Sequence, residues 1–258
     1  MVKNLITAVQ FLTIFTLKRE YQEEERSLPR SIVFFPVVGF LIGFLLVNAD
    51  KVMMLIALPQ GVANILLVAL SVLVTRALHV DGLADTLDGL MGGRDRESRL
   101  AIMRDSRLGT AGAVGIFFVL FLKYVTLNNL FESEKVAALL TAPLLARWSQ
   151  TIMVYNARYG RDEGMGKAFV GHLRASGLAA ASAVAMGLSA FVVYRLDARS
   201  VVLIVTLLAG VLLLTFLARS YLHRKLGGVT GDSIGAVSEL NEVLVLLLCV
   251  VFSNGNQP

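Results

Sequence analysis

Three carboxylates, Asp81, Asp85 and Asp88, stand in the stretch HVDGLADTLDGLMGG (79–93), where a long apolar run ends. Carboxylates this close repel one another unless they are protonated or share a cation, and gathering them where hydrocarbon meets water is costly. At about 100° per residue, offsets of four and seven put the three within roughly 60° of one another on a helix. Leu83, Leu87 and Leu90 fall on the opposite side, so the segment reads as an amphipathic helix with an acidic face. A solvated surface is the ordinary fate of such a cluster. Here the flanking residues are apolar or glycine and no lysine or arginine lies at helical spacing, which favours Asp81, Asp85 and Asp88 as ligands of a divalent metal and so an enzyme. His79 falls on the far side of that helix from the aspartates, which argues against it as a ligand beside them. It could still act on a substrate if the chain unwinds there.

The next segment, GGRDRESRLAIMRDSRLGTAG (92–112), offers arginines followed by a turn of small residues. Arginine forks bind phosphate oxygens in pairs, and a glycine-lined helix N-terminus favours anions. Arg94, Arg96 and Arg99 fit the general enrichment of basic residues in cytoplasmic loops. Arg104, Asp105, Ser106 and Arg107 abut the turn of Gly109, Thr110 and Gly112 and are stronger candidates for substrate phosphate. A second acidic set lies in GGVTGDSIGAVSELNE (227–242), where Glu239 and Glu242 follow Asp232 by seven and ten residues, again on one helical face. These carboxylates could complete a metal cage, bind a second ion or supply a general base; alternatively Glu239 or Glu242 pairs with Arg147 inside the bundle. Arg147 stands in the otherwise apolar APLLARWSQTIMVY (142–155) and needs an anion, either a carboxylate or a substrate phosphate. The stretch Glu163 to Lys167 has the glycines and charge of a substrate-contacting lid, and equally those of an exposed turn.

The elements that hold these residues are membrane helices. A hydrophobic fraction of 56% and a mean hydropathy of +0.70 exclude an ordinary soluble domain. Runs long enough to cross a bilayer, which needs about 20 mostly apolar residues, lie near 31–49, 61–78, 110–130, 136–154, 175–194, 200–218 and 234–252. The expected fold is therefore all-α: a polytopic transmembrane helical bundle of about seven spans, residues 1–258 forming one membrane domain. Lys3 to Leu17 is apolar but short and studded with Asn4, Thr7, Gln10, Thr13 and Thr16. It reads as an N-terminal interfacial or re-entrant helix, and the charged KREYQEEER that follows does not fit a cleaved signal peptide. The segment FPVVG with Gly43 reads as a small-residue packing face.

Loops near 18–30, 79–109, 155–174 and 219–233 hold nearly all the lysine and arginine, and alternate with basic-poor connections at 50–60, 131–135 and 195–199. The positive-inside rule then puts the N-terminus and the reactive loops in the cytoplasm and the SNGNQP tail outside. Topology accounts for most of the net charge of +5, so no nucleic-acid partner is called for. The lone Cys249 lies in the last apolar run, cannot form an internal disulfide and reads as an inert thiol. Taken together, the residues suggest metal-assisted transfer of a phosphate-containing group at the cytoplasmic membrane surface.

Four stretches, HVDGLADTLDGLMGG (79–93), IMRDSRLGTAG (102–112), EGMGKAF (163–169) and TGDSIGAVSELNE (230–242), together resemble the cobalamin synthase family, the adenosylcobinamide-GDP ribazoletransferases. FPVVGFLIG (35–43) is similar to that family's first span, so the likeness runs almost from end to end. The resemblance implies a magnesium-dependent enzyme of the bacterial inner membrane acting late in cobalamin biosynthesis. It would join α-ribazole, free or as its 5′-phosphate, to adenosylcobinamide-GDP and release GMP, giving adenosylcobalamin or its phosphate. Its partners would be those two substrates and membrane lipid, with a homo-oligomer left open. Under it Asp81, Asp85 and Asp88 would position Mg²⁺ and the pyrophosphate, Arg104 and Arg107 would hold phosphate, and Asp105, Asp232, Glu239 and Glu242 would be candidates for a second metal or the base.

Two other classes are weaker. CDP-alcohol phosphotransferases displace a nucleoside monophosphate in a similar way, but they need an alanine-arginine pair soon after the DG that 79–110 does not reproduce. An ion-coupled transporter needs acids near the bilayer midplane and some internal repeat, whereas these acids cluster at one face.

Overall fold

The computed structural model describes residues 1–17, 28–194 and 200–254 and is helical throughout, with one isolated bridge between Tyr159 and Val229. The stretch KREYQEEER, the connection at 195–199 and the end of the SNGNQP tail lie outside the described residues. The elements run α1 (Val2–Leu12), α2 (Leu28–Ser31), α3 (Phe35–Leu55), α4 (Gln60–Val74), α5 (Leu78–Gly92) and α6 (Arg96–Ile102), then α7 (Thr110–Asn128), α8 (Glu132–Val154), α9 (Ala175–Tyr194), α10 (Ser200–Leu226) and α11 (Gly231–Asn254). Every expected span corresponds to one of these helices, and α1 is the short apolar N-terminal helix.

Among the described residues, five helices are long and apolar enough to cross a membrane, or six if α4 and α5 form one broken span. The difference from seven has two physical origins. Helix α8 is 23 residues long, but Arg147, Ser149, Gln150 and Thr151 lower its hydropathy. From Ala137 to Val154 all its residues except Leu140 are buried by neighbouring helices, so it does not face lipid and need not be apolar. Helix α4 has only 15 residues and turns by 85° into α5.

That turn is closed by Ala77 donating to the Val72 carbonyl (2.9 Å) and Arg76 to that of Leu73 (3.0 Å), the paired bonds that end a helix. Arg76 and Ala77 take left-handed angles (φ 53° and 57°), which cost roughly 1–2 kcal/mol for each residue carrying a Cβ. The compensation comes from the Arg76 side chain, whose Nη2 donates to the Gln10 (2.8 Å) and Thr13 (2.6 Å) carbonyls at the end of α1. One residue thus ends α4, satisfies α1 and aims α5.

Helix α8 is the axis of the bundle, covered along its length by α3 and α11. Gly39 and Gly43 supply the small-residue face expected of α3: a Cβ at either would strike the α8 backbone at Pro143–Leu144 or Leu139–Leu140. At the end of the bundle away from α5, Lys135 of α8 donates to Asp50 of α3 at 2.6 Å, which lets both ends of that buried ion pair enter the core.

Candidate active site

Helix α5 carries the acidic motif and lies across α7 and α11. Its crossing of α11 depends on a close approach: a Cβ on Gly82 would lie 2.7 Å from the Asp232 carbonyl oxygen, a backbone atom that cannot move aside. This contact puts Asp232, in the first turn of α11, beside the acidic face of α5. Asp81 is exposed and Asp85 half-buried, and the charges of Asp232, Asp81 and Asp88 all bear on Asp85, with Arg161 opposing them. Arg161 closes the group by pairing with Asp232 at 2.7 Å.

Asp88 has a different role from its two neighbours. Its Oδ2 accepts from the Gly109 N–H and its Oδ1 from the Gly112 N–H, both at 2.8 Å, so its carboxylate sits on the N-terminus of α7. A helix N-terminus favours a negative charge, and here the protein supplies it. The Gly109–Thr110 turn, expected to hold substrate phosphate, is filled by Asp88. Among the described residues no three His, Cys, Asp or Glu side chains are grouped so as to hold a metal by themselves. Within the acidic motif, the Asp81 and Asp85 carboxylates make no hydrogen bond or ion pair among the described residues. Two hard carboxylates are the kind of donor that Mg²⁺ takes, since it keeps few protein ligands.

The second acidic set is also engaged. Lys123 of α7, 3% exposed, donates to Glu239 (2.7 Å) and Glu242 (2.9 Å), and Arg147, 2% exposed, donates to Glu242 (2.9 Å). Of the two expectations for Glu239 and Glu242, pairing inside the bundle is the one the geometry displays, and the anion that Arg147 needs is Glu242. Arg147 Nη2 also lies 3.3 Å from His79 Nδ1. Guanidinium can only donate, so Nδ1 accepts and the His79 ring carries its proton on Nε2. Helix α5 already runs through His79, so the chain does not unwind there.

Beyond the acidic motif, Arg96 donates to the Leu226 (2.9 Å) and Gly160 (3.0 Å) carbonyls and Arg99 to those of Arg94 and Lys225, so both tie α6 to the end of α10. Arg104, Ser106 and Arg107 are exposed, and the charge of Arg104 bears on Tyr159. Arg107 grips Asp105 through Nη2 at 2.6 Å, and its side chain, helped by its backbone N–H, holds the Asp105 carboxyl down at about 2. The loop 155–174 folds over the start of α11, where Gly160 donates to the Val229 carbonyl (2.9 Å) and Val229 to that of Arg158 (2.9 Å). Within it Glu163 and Lys167 point outward, while Gly164, Gly166 and Phe169 face a cavity.

That cavity, about 360 Å³, has two sides. Asp81, His79, Arg161, Asp232 and Tyr159 form a polar rim, and burial holds the Tyr159 phenol above its ordinary pKa, as a neutral donor. Phe11, Phe35 and Phe169 belong to the apolar side. Three polar residues of the site and its buried network, Lys123, Tyr159 and Arg161, were not expected, and nothing in the sequence set Tyr159 apart. Lys123 had a signal, a lysine in the middle of an apolar run; Arg161 had none that set it apart from the other arginines of its loop.

Residues 4–250 match the family profile of cobalamin-5-phosphate synthases. The chain belongs to the cobalamin-5-phosphate synthase family. It is 40% identical over 250 residues to the adenosylcobinamide-GDP ribazoletransferase of Geotalea daltonii, covering 97% of this chain and 98% of the relative. Proteins of the same name from Thermoanaerobacter pseudethanolicus (34% identity, 97% of both chains) and Clostridioides difficile (32%, 95% of this chain and 96% of the relative) are similar over the same length. No solved structure matches. The synthase motifs at 79–93 and 230–242 are the two that meet at the Gly82 crossing, and 163–169 lies over them.

Proposed function

We propose that this synthase joins α-ribazole, free or as its 5′-phosphate, to adenosylcobinamide-GDP and releases GMP, on the cytoplasmic face of a bacterial inner membrane. One observation carries the reading: Asp81 of α5, Arg161 of the 155–174 loop and Asp232 of α11 meet on the rim of a single cavity, with Asp85 beside them. Carboxylates for a cation, a guanidinium for phosphate and an enclosed pocket are what displacement at a pyrophosphate requires.

In the transfer a ribose hydroxyl oxygen forms a bond to the phosphorus attached to cobinamide, and the bridging pyrophosphate bond breaks. GMP leaves with the electron pair, and the hydroxyl proton goes to a carboxylate. Of the carboxylates expected as base, Glu239 and Glu242 are bound to Lys123 and Arg147, and Asp105 is bound to Arg107. Asp232 is paired too, with Arg161 at 2.7 Å, but of these four carboxylates it alone lines the cavity, and it is assigned the proton. Asp81 and Asp85 would hold Mg²⁺, which when bound neutralises charge on the pyrophosphate. Arg161 orients a non-bridging oxygen, and exposed Arg104 and Arg107 reach the nucleotide from outside.

The test is GMP release by purified protein in lipid vesicles supplied with adenosylcobinamide-GDP, α-ribazole and Mg²⁺. GMP should appear in step with the corrinoid product. A folded preparation that yields none overturns the proposal.

A further inference from the structure

Gln150 of α8 is 2% exposed and lines the cavity, yet its Oε1 has no hydrogen-bond partner. A buried amide left unpaired costs about 1–3 kcal/mol, so a group kept this way in an otherwise packed helix points to a ligand. Its surroundings describe that ligand. Phe11, Phe35 and Phe169 form a three-ring cluster: Phe11 lies 5.9 Å from Phe35 at 15° and 4.8 Å from Phe169, and Phe35 and Phe169 are 5.7 Å apart. Ile32 and Val154 extend the same apolar wall. The cavity is therefore charged at its rim and apolar at its wall, with one amide unpaired.

We infer that this cavity is the acceptor subsite, with the base of the ribazole against the three phenylalanines and its free ring nitrogen bound by Gln150. This rests on the ribazoletransferase reading and assigns one of its two substrates to the cavity. Size excludes the donor's corrinoid part. At about 360 Å³ the space sits at the lower end of ligand pockets, which run from about 300 to 1,000 Å³, and suits a nucleoside rather than a corrin macrocycle with its side chains.

Against the apolar wall, chemistry favours the ribazole base over the donor's guanine. Guanine presents several donors and acceptors along its edge, which an apolar wall with a single amide would leave unpaired. A benzimidazole riboside is apolar except for one unsubstituted ring nitrogen, an acceptor. The Gln150 Nε2 makes no hydrogen bond among the described residues and, unlike Oε1, keeps accessible surface, so its N–H is the group offered to that atom. With the base so placed, the ribose extends toward Asp81, Arg161 and Asp232, where the transfer takes place.

The experiment compares Gln150→Leu and Phe11→Ala with the unaltered protein in lipid nanodiscs. KM is measured for α-ribazole and for adenosylcobinamide-GDP separately, and α-ribazole alone is titrated calorimetrically. Leucine removes an unpaired polar group, so Gln150→Leu should hold its melting temperature or raise it. KM and Kd for α-ribazole should rise about tenfold in each variant, the scale of one lost hydrogen bond or ring contact, while KM for adenosylcobinamide-GDP stays within about twofold. An unchanged KM for α-ribazole, or a rise confined to adenosylcobinamide-GDP, overturns the subsite assignment. If the unaltered protein releases no GMP, the ribazoletransferase reading fails. The calorimetric titration then still decides the subsite, because binding lost in Gln150→Leu supports it and equal binding or none overturns it.

Discussion

The Asp88 carboxylate spans the first turn of α7, one oxygen on the Gly109 N–H and the other on the Gly112 N–H, both at 2.8 Å. The anion that this glycine turn holds is the protein's own. Asp88 therefore fixes α7 against α5, and its two neighbours on the acidic face are left for a ligand.

Asp88→Ala and Asp85→Asn should separate the two roles. Loss of two charge-assisted hydrogen bonds at a helix start is expected to cost Asp88→Ala about 2–4 kcal/mol, read as a lower melting temperature in detergent. Asp85→Asn should keep its melting temperature and lose most GMP release. Equal melting temperatures for Asp88→Ala and the unaltered protein would remove the structural assignment.

The positions of the helices were legible because hydropathy over about 20 residues is a strong signal, and the three aspartates were legible because helical spacing sorts side chains by face. Neither signal reports the 85° turn after α4, since Arg76 and Ala77 adopt left-handed angles without a glycine to mark them. Hydropathy also counts Gln150 and Arg147 against a span, although full burial within the bundle is what makes α8 its axis. The site was legible in part. The motifs that meet were each visible, but the roles of Asp88, Glu239 and Glu242 depend on partners 21 or more residues away, Gly109, Lys123 and Arg147, which spacing along one helix does not reveal.

Gly82→Ala tests the crossing that builds the site. The added methyl would lie 2.7 Å from a backbone oxygen and 2.9 Å from a backbone Cα of Asp232, so α5 and α11 must separate. Overpacking of this kind costs about 1–3 kcal/mol. The larger effect should be on catalysis, since a shift of about 1 Å can reduce turnover on the order of a hundredfold. Ordinary kcat in a folded Gly82→Ala protein would show that Asp232 and the acidic face of α5 need not be this close.

Dependence on Mg²⁺ should follow Asp81 and Asp85 and not Asp88. Chelation is expected to abolish GMP release and readdition of Mg²⁺ to restore it. Asp81→Asn should raise the Mg²⁺ concentration needed for half-maximal rate about tenfold or more, because one of two protein ligands has lost its charge. Full activity of Asp81→Asn at limiting Mg²⁺ would contradict this assignment.

Asp105 should contribute nothing to the pH dependence near neutrality. Its carboxyl is held at about 2 by Arg107, so it stays ionised, and the pair stays closed, until the pH falls through that value. An ordinary aspartate protonates near pH 4. Asp105→Asn should therefore leave the acid limb of the pH–rate profile where it is and change KM for the nucleotide donor, because Arg107 is released from its partner. Loss of the acid limb in Asp105→Asn would make Asp105 the base in place of Asp232.

Lys123 offers the sharpest test of the buried network, because removing one cation leaves Glu239 without a salt-bridge partner and Glu242 with Arg147 alone. Breaking a buried ion pair from one side costs about 3–5 kcal/mol, whereas replacing both partners by uncharged groups is often close to neutral. Lys123→Met should thus unfold at a markedly lower temperature. Lys123→Met with Glu239→Gln should recover most of the loss, since Glu242 keeps Arg147 at 2.9 Å. The same double variant should retain GMP release, because Glu239 is bound to Lys123 and is not assigned the proton. A double variant as stable as the unaltered protein but without activity would place Glu239 in the chemistry after all.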